Sequence, residues 1–170
     1  MGQTLVGHAI SVALTSGAGQ VIVVVGAEAE AIREAIRDLP VQIVFNPEWR
    51  EGMGSSIRVG AGVLQTDIGC VVISLCDQPH VTSSHLHSLA ARHFQTGSNI
   101  VASSYEGVIG APCAFGRELI PSLLVLHGDS GARELIRNSA KPIEIVDFSG
   151  GIIDIDTLED VEKMNDSGLL

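Results

Sequence analysis

The sequence predicts an α/β fold built on a mostly parallel sheet, and three features of the chain carry that prediction. Apolar runs such as "VIVVV" (21–25) and "VVISLC" (71–76) are continuous, the pattern of strands covered on both faces. These runs alternate with stretches at helical spacing, which requires right-handed crossovers between strands. An acid, Asp77, follows one run directly, and the carboxyl ends of such strands are where ligands bind.

The elements follow in order. Residues 4–16 place Leu5, His8, Ala9, Val12 and Ala13 at helical spacing before Gly17 and Gly19 stop the helix. A strand is expected over 20–26, a helix over 28–39 ended by Pro40, and a strand over 41–46. A glycine-containing loop (48–54) leads to a helix over 55–65, then to the strand at 71–76 and a helix over 83–95. Beyond it, 99–105 reads as a strand, 106–112 as a turn-rich connection and 113–116 as a short strand. Residues 117–126 and 130–138 read as helical, the second capped by Asp129. A strand at 143–148, another at 151–156 and a helix at 157–164 complete the chain. There is no internal repeat and no linker, so residues 1–170 are expected to form a single domain.

Composition excludes several classes. With 45% hydrophobic and 18% charged residues the chain is globular in type. Its apolar runs are far shorter than the ~18 residues of a membrane span. A net charge of −10 argues against a nucleic-acid surface and suits an anionic ligand that arrives with a divalent metal. The three cysteines form no CxxC pair, and with no signal peptide they read as reduced, mostly buried thiols of a cytoplasmic protein.

Neither GxxxxGK[ST] nor GxGxxG after a strand is present, and "GDSGA" (128–132) reads as a helix start. In "EGMGSSIRVG" (51–60), Gly52, Gly54, Ser55 and Ser56 enter a helix. Free N–H groups and hydroxyls there can cradle an anion or a base edge, and an ordinary serine N-cap is the alternative. In "CDQP" (76–79), Asp77 either caps the following helix or binds a hard cation, since Mg²⁺ takes one or two carboxylates plus phosphates. "DIDT" (154–157) offers Asp154 and Asp156 as a second carboxylate source before a helix. His85 and His87, two apart on a helix, diverge and make a poor metal pair. His80 adjoins the Asp77 loop, and His8 and His93 read as ordinary helix residues.

Taken together, "NPEWREGMGSSIRVG" (46–60), "DQPHVT" (77–82), "GAPCAFGRELIPSLLVLHGDSGARELI" (110–136) and "DIDTLEDVEKM" (154–164) resemble the nucleotidyltransferases of molybdenum cofactor biosynthesis, the cytidylyltransferases in particular. The resemblance implies a three-layer Rossmann-like fold of the nucleotide-diphospho-sugar transferase type. It implies Mg²⁺-dependent transfer of CMP from CTP to molybdopterin, with release of pyrophosphate. Asp77 then resembles a Mg²⁺ ligand and catalytic residue, with Asp154 or Asp156 as the second. Gly52, Met53, Gly54, Ser55 and Ser56 resemble the segment that recognises the base. The region around Gly110, Pro112 and "GDSGAR" resembles the acceptor side. Alternatives within the resemblance are a guanylyl or sugar-phosphate nucleotidyltransferase, or a non-catalytic nucleotide- or pterin-binding partner of molybdoenzyme maturation. The glycine-rich LAAGxSxRMGxxK signature and the first strand, central in the family's sheet, have no counterpart here. Loss of that phosphate-binding signature implies a hold on the triphosphate weaker by at least ~10²-fold. Loss of the strand implies neighbours with unpaired backbone edges.

Overall fold

The computed structural model describes residues 4–148, except 106 and 130. The strand at 151–156 and the helix at 157–164 lie outside the described residues. Helix α1 (Leu5–Thr15) is capped by Thr4, whose hydroxyl accepts from the N–H of Gly7 at 3.1 Å. Strand β1 (Ile22–Val25), α2 (Ala29–Ile36) and β2 (Gln42–Phe45) form a parallel crossover unit. A 3-10 turn (Trp49–Glu51) leads into α3 (Met53–Ala61), which starts two residues before the predicted boundary. Then come β3 (Cys70–Ile73), α4 (Ser83–Thr96), β4 (Ile100–Tyr105) and β5 (Val108–Gly116). A 3-10 turn at Arg117–Leu119, α5 (Ile120–Leu123), α6 (Ala132–Arg137) and β6 (Glu144–Asp147) complete the fold.

The strand order is β1-β2 in one sheet and β3-β5-β4-β6 in the other. β5 runs antiparallel to both β3 and β4, and β4 is parallel to β6, so only β5 runs against the rest of its sheet. Residues along β4 and β5 alternate between two helical layers, as a two-residue period requires. Ile100, Ala102, Cys113 and Phe115 pack with α3, α5 and α6, while Val101 and Ala114 pack with Leu89 of α4. Between β1 and β3 there is no ladder; the two sheets are held through α1, which touches α2 and α4, and through α3, which packs on both. β1 and β3 thus each have a strand on one side only among the described residues. No described helix is long and apolar enough to cross a membrane.

Several expectations are corrected. Within the turn-rich connection read at 106–112, residues 108–112 are the first half of β5. Its glycine and proline misled because the register shifts there. Ala102 pairs with Cys113 but Ser103 with Gly110, leaving Ala111 and Pro112 outside the ladder, where a missing N–H is tolerated. The helix read over 117–126 is a 3-10 turn and one short α-helix. Asp129 does not cap α6: the N-cap is Gly131, with no side-chain bond. Of the three free cysteines only Cys113 is buried; Cys70 is half-buried and Cys76 exposed.

Candidate functional site

The loop after β2 is organised by a buried amide. Asn46 is 0% exposed and donates through Nδ2 to the hydroxyls of Ser55 (2.8 Å) and Ser56 (3.0 Å). Its Oδ1 accepts from the N–H of Glu48 at 2.9 Å, and the Ser55 hydroxyl reaches the carbonyls of Gly52 (2.8 Å) and Glu48 (3.0 Å). Such a satisfied buried network fixes one loop conformation. The N-cap of α3 is Gly52, at a φ of +121° that only glycine adopts without strain. A Cβ there would also meet the backbone of Gly128 at 2.5 Å.

The loop before α6 lies directly against this segment. Gly54 N–H donates to the Gly128 carbonyl at 2.9 Å, and a Cβ on Gly131 would fall 3.2 Å from Met53 Sδ. Arg58 clamps the two together. Its guanidinium donates to the Leu126 carbonyl (2.5 Å), to Glu48 (2.8 Å) and to Glu51 (2.8 Å), and lies 2.9 Å from His127 Nδ1. Glu51 also accepts from the N–H of Gly128 at 3.3 Å. The Arg58 hydrogen bond, chiefly, lowers the Glu51 carboxyl to a pKa of about 2.

This geometry changes the reading of residues 52–56. The N–H groups expected to be free are engaged internally: Gly52 with Trp49, Gly54 with Gly128 and Ser55 with Gly52. Ser55 is neither the N-cap nor available through its hydroxyl, being 0% exposed. Open to a ligand are exposed Met53 and half-buried Gly52 and Ser56; Gly54, like Ser55, is buried.

Asp77, half-buried, lies four residues beyond the end of β3. Its alternative role is removed, because Thr82 caps α4, accepting from His85 N–H at 3.2 Å. The turn is held from α1 by His8, whose Nε2 is 3.0 Å from the Pro79 carbonyl. Gln78 is 5% exposed, and its Oε1 and the Nε2 of His80 are buried with no hydrogen-bond partner among the described residues. Buried polar atoms are rarely left unsatisfied, so this pair, just after Asp77, marks the turn as polar ground within the fold. The oxygen donors of this turn are of the hard type that Mg²⁺ prefers. No group of three or more His, Cys, Asp or Glu gathers for a metal among the described residues, and Asp154 and Asp156 lie outside them.

The histidines divide as their surroundings dictate. His85 is buried, stacked on Phe148 at 4.4 Å and bonded through Nε2 to Ser103 at 2.7 Å; burial lowers its pKa. His87, exposed, points instead to the Ser16 carbonyl, so the two do diverge. His93 reaches the Ser98 carbonyl at 2.7 Å. The support given by His8 and Arg58 was not anticipated from sequence, since their partners are 71 and 68 residues away.

Comparison with known proteins places this geometry in a family. The MobA-like NTP transferase domain matches residues 1–143. Nicotine blue oxidoreductase of Paenarthrobacter nicotinovorans is 28% identical over 96% of this chain and 83% of its own length. Purine catabolism protein PucB of Bacillus subtilis is 31% identical over 67% of this chain and 56% of its own length. The crystal structure of Rv0371c from Mycobacterium tuberculosis in complex with manganese superposes with a TM-score of 0.79 at 27% identity, covering 96% of this chain and 86% of that one. The three-layer Rossmann-like architecture is thus that of the nucleotidyltransferases, and the chain belongs to the MobA-like NTP transferase domain family.

Proposed function

We propose that this protein, acting as one domain over residues 1–170 in the cytoplasm, transfers CMP from CTP to the phosphate of a molybdopterin-type acceptor. In that reaction an acceptor phosphate oxygen bonds to the α-phosphorus of CTP. The α–β phosphoanhydride bond breaks, and pyrophosphate leaves with its electron pair. The observation that carries the reading is the Asp77 turn: α4 is capped by Thr82 and not by Asp77, and two buried polar atoms just after Asp77 have no hydrogen-bond partner among the described residues. Asp77 would hold Mg²⁺, with Asp154 or Asp156 as a second ligand. Bound there, the cation would neutralise charge that develops on the phosphates. His8 orients the turn by holding the Pro79 carbonyl, and Gln78 and His80 present polar atoms beside Asp77. Met53, with Gly52 and Ser56, forms the open surface of the base segment. Gly54 and Ser55 shape that surface from beneath, their N–H groups being engaged within the protein.

Asp77→Asn tests the reading. Mg²⁺-dependent CTP turnover should fall by at least ~10²-fold; retained turnover would remove Asp77 from the metal site. Competition between CTP and GTP decides the base. A second reading is a redox activity like that named for the Paenarthrobacter relative, favoured by its coverage of 96% of this chain. Against it stands the absence of a GxGxxG dinucleotide fingerprint. Consumption of NAD(P)H with no pyrophosphate release from CTP would select it.

A further inference from the structure

Helix α4, strand β4 and the end of β6 meet at His85, which is 8% exposed. Its Nε2 lies 2.7 Å from the hydroxyl of Ser103, and its ring stacks on Phe148 with centroids 4.4 Å apart and planes at 22°. The hydroxyl decides which nitrogen carries the proton. Ser103, buried as well, has a single proton and donates it to the Pro112 carbonyl, which can only accept. Ser103 therefore accepts from His85, so Nε2 bears the hydrogen and Nδ1 the lone pair. Nδ1 has no hydrogen-bond partner among the described residues.

A proton on Nδ1 would place an imidazolium where the fold accommodates a neutral ring. On the elements packed against α4, the groups that titrate are His8 of α1, Cys70 of β3, Tyr105 of β4, Cys113 of β5, and Glu144 and Asp147 of β6. Asp77 and His80 lie in the turn before the helix. None of these hydrogen-bonds or ion-pairs with the His85 ring; Glu144 pairs with Arg92, and His87 and His93 of α4 itself turn to the carbonyls of Ser16 and Ser98. Burial is accordingly what lowers the His85 pKa from the ordinary 6.5. Attraction of the cation to the Phe148 ring returns only part of the hydration it loses.

Hydrating the charged ring requires its cover to move, and Phe148 is the part of the cover held least. The helix is pinned deeper in the molecule by Leu89, 0% exposed against Val101 and Ala114. β6, in contrast, pairs with β4 alone among the described residues, and Phe148, just beyond its end, is tied by its N–H to the Ser104 carbonyl at 2.8 Å. We infer that His85 and Phe148 form an acid-sensitive latch on the end of β6: the neutral ring holds Phe148 down, and a proton on Nδ1 releases it. Phe148 immediately precedes the segment that carries Asp154 and Asp156, so the latch anchors the start of that segment, whatever those acids bind. Because the folded-state pKa is depressed, the latch contributes fully above 6.5 and is lost as pH falls below it.

The test combines ring ¹⁵N shifts with amide hydrogen exchange between about pH 8 and about pH 5, the range in which histidine titrates. At the upper end His85 should show a protonated Nε2 and a bare Nδ1; the opposite tautomer overturns the inference. Corrected for intrinsic exchange, protection of the Phe148 amide should fall by up to about tenfold for each pH unit below 6.5. Val101, in a strand paired on both sides, should keep its protection. Protection at Phe148 that ignores pH, or a parallel fall at Val101, contradicts a local latch. His85→Gln retains a donor for Ser103 but has nothing to titrate, and should flatten the response; a response that survives belongs to another group and defeats the proposal. Phe148→Ala, at the end of an edge strand, should open the ring to water and move its titration up toward 6.5. An unmoved titration would show that Phe148 is not the cover.

Discussion

Arg58 shows how one side chain sets the geometry of two loops. Presented from α3, its guanidinium ties Glu48 and Glu51 to the carbonyl of Leu126. Arg58→Met should separate the loops, raising KM for nucleotide more than it lowers kcat, because the segment proposed to meet the base is displaced while the proposed metal site at Asp77 is untouched. The same change should return the Glu51 pKa from about 2 toward the ordinary 4.5, read by carboxyl NMR titration. The sign follows from the depressed pKa. The Glu51 contribution to stability is full above pH 4.5 and is lost as pH falls through about 2. Cys113 behaves in the opposite sense, since burial pushes its thiol up to about 12. The unfolded thiol ionises near 9.0, so its burial favours folding below that pH and is opposed increasingly as pH rises toward 12. In the native protein exposed Cys76 should be alkylated first and Cys113 only on unfolding; equal rates would contradict its burial. These residues were the least legible in the sequence. Asp77 was conspicuous because an acid follows an apolar run, but nothing in the spacing of Arg58 or His8 reveals a partner distant along the chain. Ser55 carried a plausible chemistry that only its burial against Asn46 excludes.

At the level of elements, caps and close approaches decide which loops can form. Thr82→Ala should cost about 1 kcal/mol of stability, since α4 loses the acceptor for its His85 N–H. Gly52→Ala should be worse on two counts, an unfavourable φ of +121° and a Cβ 2.5 Å from backbone that has no room to yield. Its expected signature is a lower Tm, together with loss of protection at the Gly54 amide, which now bonds to Gly128. The sequence conveyed the helices and most strands because apolar periodicity survives whatever packs against it. It failed at β5 because glycine and proline are turn signals locally. Here they stand where a register shift removes the need for ladder bonds. The boundary of α3 was misplaced for a related reason: serine is the stronger N-cap by propensity, but the positive φ and the approach of Gly128 demand glycine.

For the whole molecule, the divided sheet is the dominant feature. The carbonyls of Val21 and Val25 accept from Gln42 and Asn46, so Ile22 and Val24, alternating with them, turn their backbone groups to the side of β1 without a strand. Hydrogen exchange at Ile22 and Val24 should therefore be faster than at Val23. Val101 and Ala114, paired in the centre of the larger sheet, should be slowest. Equal protection along β1 would show that its free edge is covered. The architecture was legible because alternation of strand and helix fixes layers. The division into two ladders was not legible, since no local pattern in β1 or β3 announces a side without a strand. The carboxylates of "DIDT" belong to this scale too, and Asp154→Asn and Asp156→Asn, assayed separately for Mg²⁺-dependent turnover, test the proposal that one of them joins Asp77.

The central claim is that a nucleotide lies between the base segment at 52–56 and the Asp77 turn. An NMR titration of the ¹⁵N-labelled protein with CTP, with and without Mg²⁺, tests it most directly. The account predicts saturable, Mg²⁺-dependent shifts at Gly52, Met53, Ser56, Asp77 and Gln78, with the Asp77 responses lost in Asp77→Asn. Resonances of both segments that remain still at saturating CTP and Mg²⁺ would contradict it.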